Sequence, residues 1–393
     1  MSGYLATETQ RIEQLNAQAD ALLSVFTRRD YARVDPPVLQ PADVFLDRSG
    51  EEIRKRTFLL TDPAGRELCL RPELTIPVCR LHLERGGLFP ARLCYHGPAF
   101  RMRSSDPHSA SQFLQSGVEY LGAADRPKAD AEVLTLSIEA LRAAGLETFS
   151  VQIGEASLFP GLIDALPIPA QWRNRLKRHF RRPDSFARLL QRMSSGEPMP
   201  GSGYLAHVGT ADEADARAAL SGLLDLLGGA DGREVFAGRS REEIVDRLME
   251  QAAESASLRL DRSALSAIEA VLAISGPAEK SLADLAAVLK THRIALDAPL
   301  EAIAARIGDL RKLRLSGEQV SFAPRFGRNL DYYTGFVFEL WARDADGPVQ
   351  VAGGGRYDTL LKTLGSSSDI PAVGCAIRDE RVLAAREFLK GAR

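Results

Sequence analysis

Apolar residues recur with a helical period near the N-terminus. Ile12, Leu15, Ala19, Leu22 and Phe26 form one stripe, which predicts an amphipathic helix over Thr7–Arg28. Tyr31–Leu39 reads as a short strand running into Pro36-Pro37. Proline cannot donate to a ladder, so this is an edge or interface feature. Phe58–Leu70 predicts strand–turn–strand about Asp62-Pro-Ala-Gly65, and Glu73 and Thr75 follow it. If the chain there stays extended, Glu73 and Thr75 share a face. If Thr75 instead caps a helix, Val78, Cys79 and Leu81 continue it. Both readings can hold together.

Leu93–Gly122 predicts a second strand–loop–strand, followed by a helix over Lys128–Ala144 and a strand over Thr148–Ile153. From about Ala165 to Leu315 the pattern becomes a run of helices rich in Ala, Leu, Arg and Glu, broken at Gly196–Gly203. Gln319–Ala323 returns to strand. Arg325–Glu339 predicts a strand, a tight turn at Thr334-Gly335 and a second strand. Alternation would put Asp331 and Tyr333 on one face and Tyr332 on the other. With Arg328, that face could hold a small zwitterion; it could equally be an ordinary hairpin with a buried Tyr. The Gly run of Val351–Asp358 is expected to open a helix, and a last helix is expected over Asp379–Leu389.

The chain has 393 residues, 45% hydrophobic and 26% charged, enough for two domains or one large domain with an insertion. A net charge of -2 excludes a whole-protein basic field, although a local patch remains open. Arg173, Arg175, Lys177, Arg178, Arg181 and Arg182 form a basic helix, read as a solvated face in preference to a patch for phosphate or an acidic partner. Cys69, Cys79, Cys94 and Cys375 form no CxxC pair, and no Cys/His group has zinc spacing. They are expected to be reduced core thiols of a cytoplasmic protein, with no signal segment and no membrane span. His96 and His108 are expected in loop or core. No strand carries the acidic pair and Gly/Thr loop that hold a phosphoribosyl group, so phosphoribosyl transfer is not expected on this chain.

Several stretches together resemble the histidyl-tRNA synthetases. Arg328-Asn-Leu-Asp-Tyr-Tyr333 is similar to a histidine-specific signature, and Pro371–Arg381 to the third class II motif. Arg71-Pro-Glu-Leu-Thr75 matches a further run, Leu93–Gly122 resembles the second motif, and Tyr31–Leu39 resembles the first, which builds the dimer. The resemblance implies an α+β fold: a class II aminoacyl-tRNA synthetase-like antiparallel sheet flanked by helices, with a helical insertion. Residues 1–164 and 318–393 would form the core and 165–317 the insertion. It implies a histidine pocket in which Arg328 takes the carboxylate. Glu73, Thr75 and Gln115 would take the ammonium. Glu119, Tyr333 and Tyr357 would take the ring, with Tyr332 in the same signature.

The nucleotide side departs from the pattern. Arg101, Arg381 and the stacking ring Phe113 remain. A Glu of the second motif is Arg103, the loop reads Ser104, Ser109, Ala110, Ser111, and a Gly of the third motif is Arg378, which should crowd adenine. No anticodon-binding domain is expected. A kept histidine pocket beside a dismantled adenylation site resembles the regulatory subunits of ATP phosphoribosyltransferase. That family implies no catalysis, cofactor or metal on this chain. It implies L-histidine as regulatory ligand, the short-form catalytic subunit as partner, and a homodimer within a hetero-octamer, without tRNA or membrane. One alternative is a truncated histidyl-tRNA synthetase-like enzyme that activates histidine with ATP. Another is a structural partner with no ligand.

Overall fold

The computed structural model describes residues 2–46, 55–103, 110–180, 183–195, 212–227, 244–246, 248–249, 260–327 and 332–391. The chain divides into two compact units. The first comprises Met1–Leu158, Leu272–Ala287 and Leu296–Arg393, and the second Phe159–Val271 with Val288–Ala295.

Among the described residues, twelve strands belong to the first unit: β1 (Ala32–Arg33), β2 (Leu39–Pro41), β3 (Leu59–Thr61), β4 (Glu67–Leu70), β5 (Ala91–Phe100), β6 (Gln112–Leu121), β7 (Ser150–Glu155), β8 (Gly276–Pro277), β9 (Val320–Phe322), β10 (Phe336–Asp344), β11 (Gly347–Arg356) and β12 (Ala372–Arg378). Nine form one sheet in the order β1-β5-β6-β12-β11-β10-β7-β9-β8, and β2-β4-β3 form a small second sheet. The centre of the large sheet, from β5 to β7, is antiparallel throughout.

Alternation along β6 assigns its two faces. Ser116 bonds Asp379 at 3.0 Å and Tyr120 packs edge-on to Tyr31, so the even positions meet the helix Asp379–Gly391 and the end of the helix Ser2–Thr27. Gln115 and Glu119 look the other way, toward the helix Thr75–Glu84 and Tyr357. The first helix is longer than its apolar stripe predicts, and Gln18 ties it to the last helix through the Asp379 carbonyl at 2.7 Å. Arg71, fully buried, donates to the carbonyls of Pro36 and Pro98, which fixes the Pro36-Pro37 turn against the end of β5. The four Cys are buried and form no disulfide. Among the described residues no helix is long and apolar enough to cross a membrane.

Four expectations fail at the C-terminal end. Arg325–Gly327 and Tyr332–Thr334 are not strand, and residues 328–331 lie outside the described residues. Thr334 N–H instead bonds the Arg356 carbonyl at 2.8 Å, so Thr334-Gly335 leads into β10 and is not a hairpin turn. The hairpin turn comes later, between β10 and β11, where Gly347 has φ +122°. The Gly353–Gly355 run does not open a helix. It lies inside β11, where a Cβ at Gly354 would meet the Gly374 carbonyl of β12 at 2.2 Å. Tyr332 and Tyr333 do not take opposite faces: both are buried in one core cluster with ring centroids 4.8 Å apart.

Part of the segment expected as the insertion, 165–317, falls in the first compact unit. The helix Asp297–Lys312 belongs to the first unit, anchored by a buried ionic node. Asp130, in the helix Arg126–Ala143, accepts from Arg356 at 2.6 Å and Arg306 at 3.3 Å. Asp358 holds Arg356 at 2.8 Å and Asp309 holds Arg306 at 2.9 Å. The node joins two helices to the end of β11.

In the second unit, Phe159 stacks on Phe180 at 3.7 Å and Phe186 meets both edge-on. The basic helix is not a uniform charged face. Arg175 is buried beside Trp172, and Lys177 pairs with Asp164 at 2.7 Å. Arg181 and Arg182 lie outside the described residues.

Asp130→Ala leaves two buried guanidiniums short of a partner and is expected to lower stability by about 3 kcal/mol. Denaturant unfolding of the variant measures this, and an unchanged midpoint would show that the node is not a structural anchor.

Candidate functional site

The site is built where the odd face of β6 meets the start of the helix Thr75–Glu84. Four residues separate Gln115 from Glu119, so a regular strand points both the same way. No bulge is needed, because β6 keeps unbroken register with β5 and β12. Glu119 lies opposite Gly374, where a Cβ would stand 1.7 Å from its Oε2. Tyr95 of β5 lies opposite Gly117, where a Cβ would stand 2.4 Å from the phenol oxygen. The two glycines thus leave a trough in which a carboxylate and a phenol lie flat on the sheet.

Glu119 is wholly buried between two phenols. Tyr95 donates to Oε1 at 3.2 Å and Tyr357 donates to Oε2. Burial pushes the Glu119 carboxyl up to about 8, with the Glu73 charge adding to it and the hydroxyls of Tyr357, Thr75 and Tyr95 opposing it. Burial raises both phenols as well, so neither ionises near neutrality.

Glu73 and Gln115 cap the adjoining helix. Glu73 accepts the N–H groups of Thr75 at 2.7 Å and Ile76 at 2.8 Å, and Gln115 Oε1 accepts that of Leu74 at 3.1 Å. The capping side chain is therefore Glu73, two residues before the expected Thr75. Three N–H groups of the helix start, which have no partners within the helix, are thereby satisfied. Burial raises the Glu73 carboxyl, opposed by these two N–H groups and by the Arg101 charge. The rings of Tyr332, Tyr333 and Tyr357 form one wall, with Tyr332 5.6 Å from Tyr357.

Glu73, Thr75, Gln115, Glu119, Tyr332, Tyr333 and Tyr357 are thus assembled in one buried cluster, while Arg328 lies outside the described residues. Sequence reading passed over Tyr95, Gly117 and Gly374. Pairing the two predicted strands of Leu93–Gly122 in register would have set Tyr95 beside Glu119.

The residues of the second expected group gather around Phe113. Arg378 is paired with Gln115 across β6 and β12, and its guanidinium lies 3.4 Å from the Phe113 ring centroid. Arg101 lies 5.4 Å from that centroid and donates to the Pro72 carbonyl at 2.7 Å. Arg381 donates to the Gln350 carbonyl at 3.2 Å. Arg103, Phe113, Arg378 and Arg381 line one cleft of 640 Å³. His96, half-buried in β5, lies 3.0 Å from Asp379 on the other face of the sheet; His108 lies outside the described residues.

The description of the histidyl-tRNA synthetase family matches residues 3–382. An ATP phosphoribosyltransferase regulatory subunit of Sinorhizobium fredii (strain NBRC 101917 / NGR234) is 38% identical over 380 residues, 94% of this chain and 98% of its own. Its counterpart from Agrobacterium fabrum (strain C58 / ATCC 33970) is 38% identical over 377 residues, 94% of this chain and 96% of its own. A crystal structure of an ATP phosphoribosyltransferase regulatory subunit/histidyl-tRNA synthetase from Bacillus halodurans C superposes with a TM-score of 0.64 at 21% identity, over 95% of this chain and 79% of that one. At that identity the likeness speaks for the class II synthetase-like fold.

The raised Glu119 carboxyl makes stability depend on pH. Its ordinary value is 4.5 and its folded value about 8, so between these the folded protein holds a proton that the unfolded chain releases. This contribution is complete below the ordinary value, declines by up to about 1.4 kcal/mol per pH unit as pH rises, and levels off above the folded value. Denaturant unfolding across that window should show the decline in the wild type and a flatter profile in Glu119→Gln. The same slope in both proteins would assign it to other groups.

Proposed function

The chain belongs to the family of ATP phosphoribosyltransferase regulatory subunits, built on the histidyl-tRNA synthetase fold, and on that premise we propose that it binds L-histidine in the pocket around Glu119. The observation that carries the reading is the convergence of Glu119, Glu73, Thr75 and Gln115, all buried, in one cluster beside the rings of Tyr332, Tyr333 and Tyr357. Buried polar groups are costly unless paired, and each of these retains capacity for a further donor. Glu73, Thr75 and Gln115 would take the ammonium, Glu119 with Tyr333 and Tyr357 the imidazole, and Arg328 the carboxylate in a two-bond contact.

On this reading the chain performs no chemistry itself. It docks as a cytoplasmic protein on the short-form catalytic subunit of ATP phosphoribosyltransferase, enabling the first step of histidine biosynthesis and conveying feedback by histidine. Feedback requires that histidine bind one state of the complex better than another, and the coupling is reciprocal. A homodimer within a hetero-octamer would use the Pro36-Pro37 region, where Leu39 and Leu59 are about half exposed on the small sheet. The competing reading, an enzyme that activates histidine with ATP, is disfavoured by Arg378, which covers the Phe113 ring that adenine would need.

Calorimetric titration of the protein with histidine should show saturable binding at one site per chain. Arg328→Ala should weaken it about 10- to 150-fold, the loss of one charge-assisted contact, and Glu119→Ala about 2- to 10-fold, the loss of a hydrogen bond to a carboxyl that burial keeps protonated. Binding unaffected by both substitutions would place histidine elsewhere. Absence of binding to both the isolated chain and its complex with the catalytic subunit would overturn the reading. Histidine should stimulate no ATP–pyrophosphate exchange; exchange at enzymatic rates would favour the synthetase alternative.

A further inference from the structure

The cleft beside Phe113 has its own electrostatic demand, independent of the histidine reading. Four guanidiniums line it, those of Arg11, Arg103, Arg378 and Arg381, against the carboxylates of Asp344 and Glu380. The carboxylates are engaged by the backbone. Glu380 accepts the Leu114 N–H at 2.7 Å, and Asp344 accepts that of Asp346 at 2.9 Å.

Arg378 is incompletely compensated. Its guanidinium lies on the Phe113 ring, its Nε is buried without a hydrogen-bond partner, and among the described residues it forms no ion pair. Burial, together with the like charges of Arg101 and Arg381, pushes its pKa well down, and the Glu380 carboxylate opposes them only in part. An arginine side chain nevertheless keeps its proton at neutral pH. The strain of a partly buried cation among cations is then relieved by an anion, which gains more than it would in water because the site is partly dry. The face of Phe113 is already stacked by a guanidinium, so an aromatic base would first have to displace it.

We propose that this cleft binds a compact polyanion of the pyrophosphate class, held by Arg378, Arg103 and Arg11, without a base stacked on Phe113. Two lining carboxylates against four guanidiniums leave an excess of two positive charges, which favours a multiply charged anion. The cleft, at 640 Å³, admits the pyrophosphoryl group either free or carried by a larger metabolite. Arg378 is positioned by β12 and Phe113 by β6, both central strands of the sheet, so two of its walls are rigid.

The test is calorimetric titration of the full chain at low ionic strength with inorganic pyrophosphate, ATP and adenosine. Pyrophosphate should bind saturably at one site per chain, more weakly as salt is raised. Arg378→Met and Arg103→Met should each weaken it at least about tenfold, as expected for a lost charge-assisted contact. Arg103 is exposed, so its variant decides the matter if Arg378→Met fails to fold. Adenosine should give no binding; ATP binding weakened by the same substitutions would identify a carried pyrophosphoryl group as the ligand. Lack of saturable binding by either phosphate ligand overturns the proposal, as does binding that both variants retain, or adenosine binding on its own. Histidine titrated into the same samples keeps the two sites apart: intact histidine binding with no pyrophosphate binding sinks only this proposal.

Discussion

A carboxylic acid in the dry centre of a sheet constrains almost everything around it. Glu119 is fully buried, and burial is the largest influence on its charge. It can lie there only because Gly374 and Gly117 clear the sheet surface and because two phenols reach its oxygens. The phenols in turn require β5 in full register with β6, and the entry of Tyr357 directly after β11. A one-residue slip of β6 would turn Glu119 to the opposite face, where the helices pack. Fold and pocket are therefore specified by the same pairings.

Much of this was legible in the sequence, for identifiable reasons. The strand–loop–strand of Leu93–Gly122 has strong alternation and clear turn chemistry, and it folds as the hairpin of β5 and β6. Arg325–Glu339 has the same aromatic and β-branched composition, yet its first half is not strand in the described residues. Composition there reflects burial of Tyr332 and Tyr333 in a core, and a core does not require a ladder. The Gly353–Gly355 run misled for a related reason. Glycine signals a close approach without saying whether a turn or a neighbouring strand makes it. The end of the insertion was invisible because helical periodicity is the same in both units. Long-range contacts such as the pair of Arg306 with Asp130 tie the helix Asp297–Lys312 to the first unit.

The pocket and the cleft share one pair of strands. Gln115 and Arg378 are direct partners across β6 and β12, as are Glu119 and Gly374. Glu119 faces the tyrosine wall, while Arg378 turns its guanidinium to Phe113. An interaction that shifts β12 against β6 would alter both sites at once, because packed strands have few intermediate arrangements.

The capping of the helix Thr75–Glu84 has a kinetic side. Its first free N–H groups are held by Glu73 and Gln115 from within the protein. The same two side chains that would meet an ammonium are thereby locked in place before any ligand arrives. On the proposed reading, an entering amino acid would meet a wall whose rotamers are already chosen, so little ordering entropy would be charged to the encounter. Such a surface favours fast, reversible occupancy that follows the ligand's concentration closely, the behaviour a gauge needs.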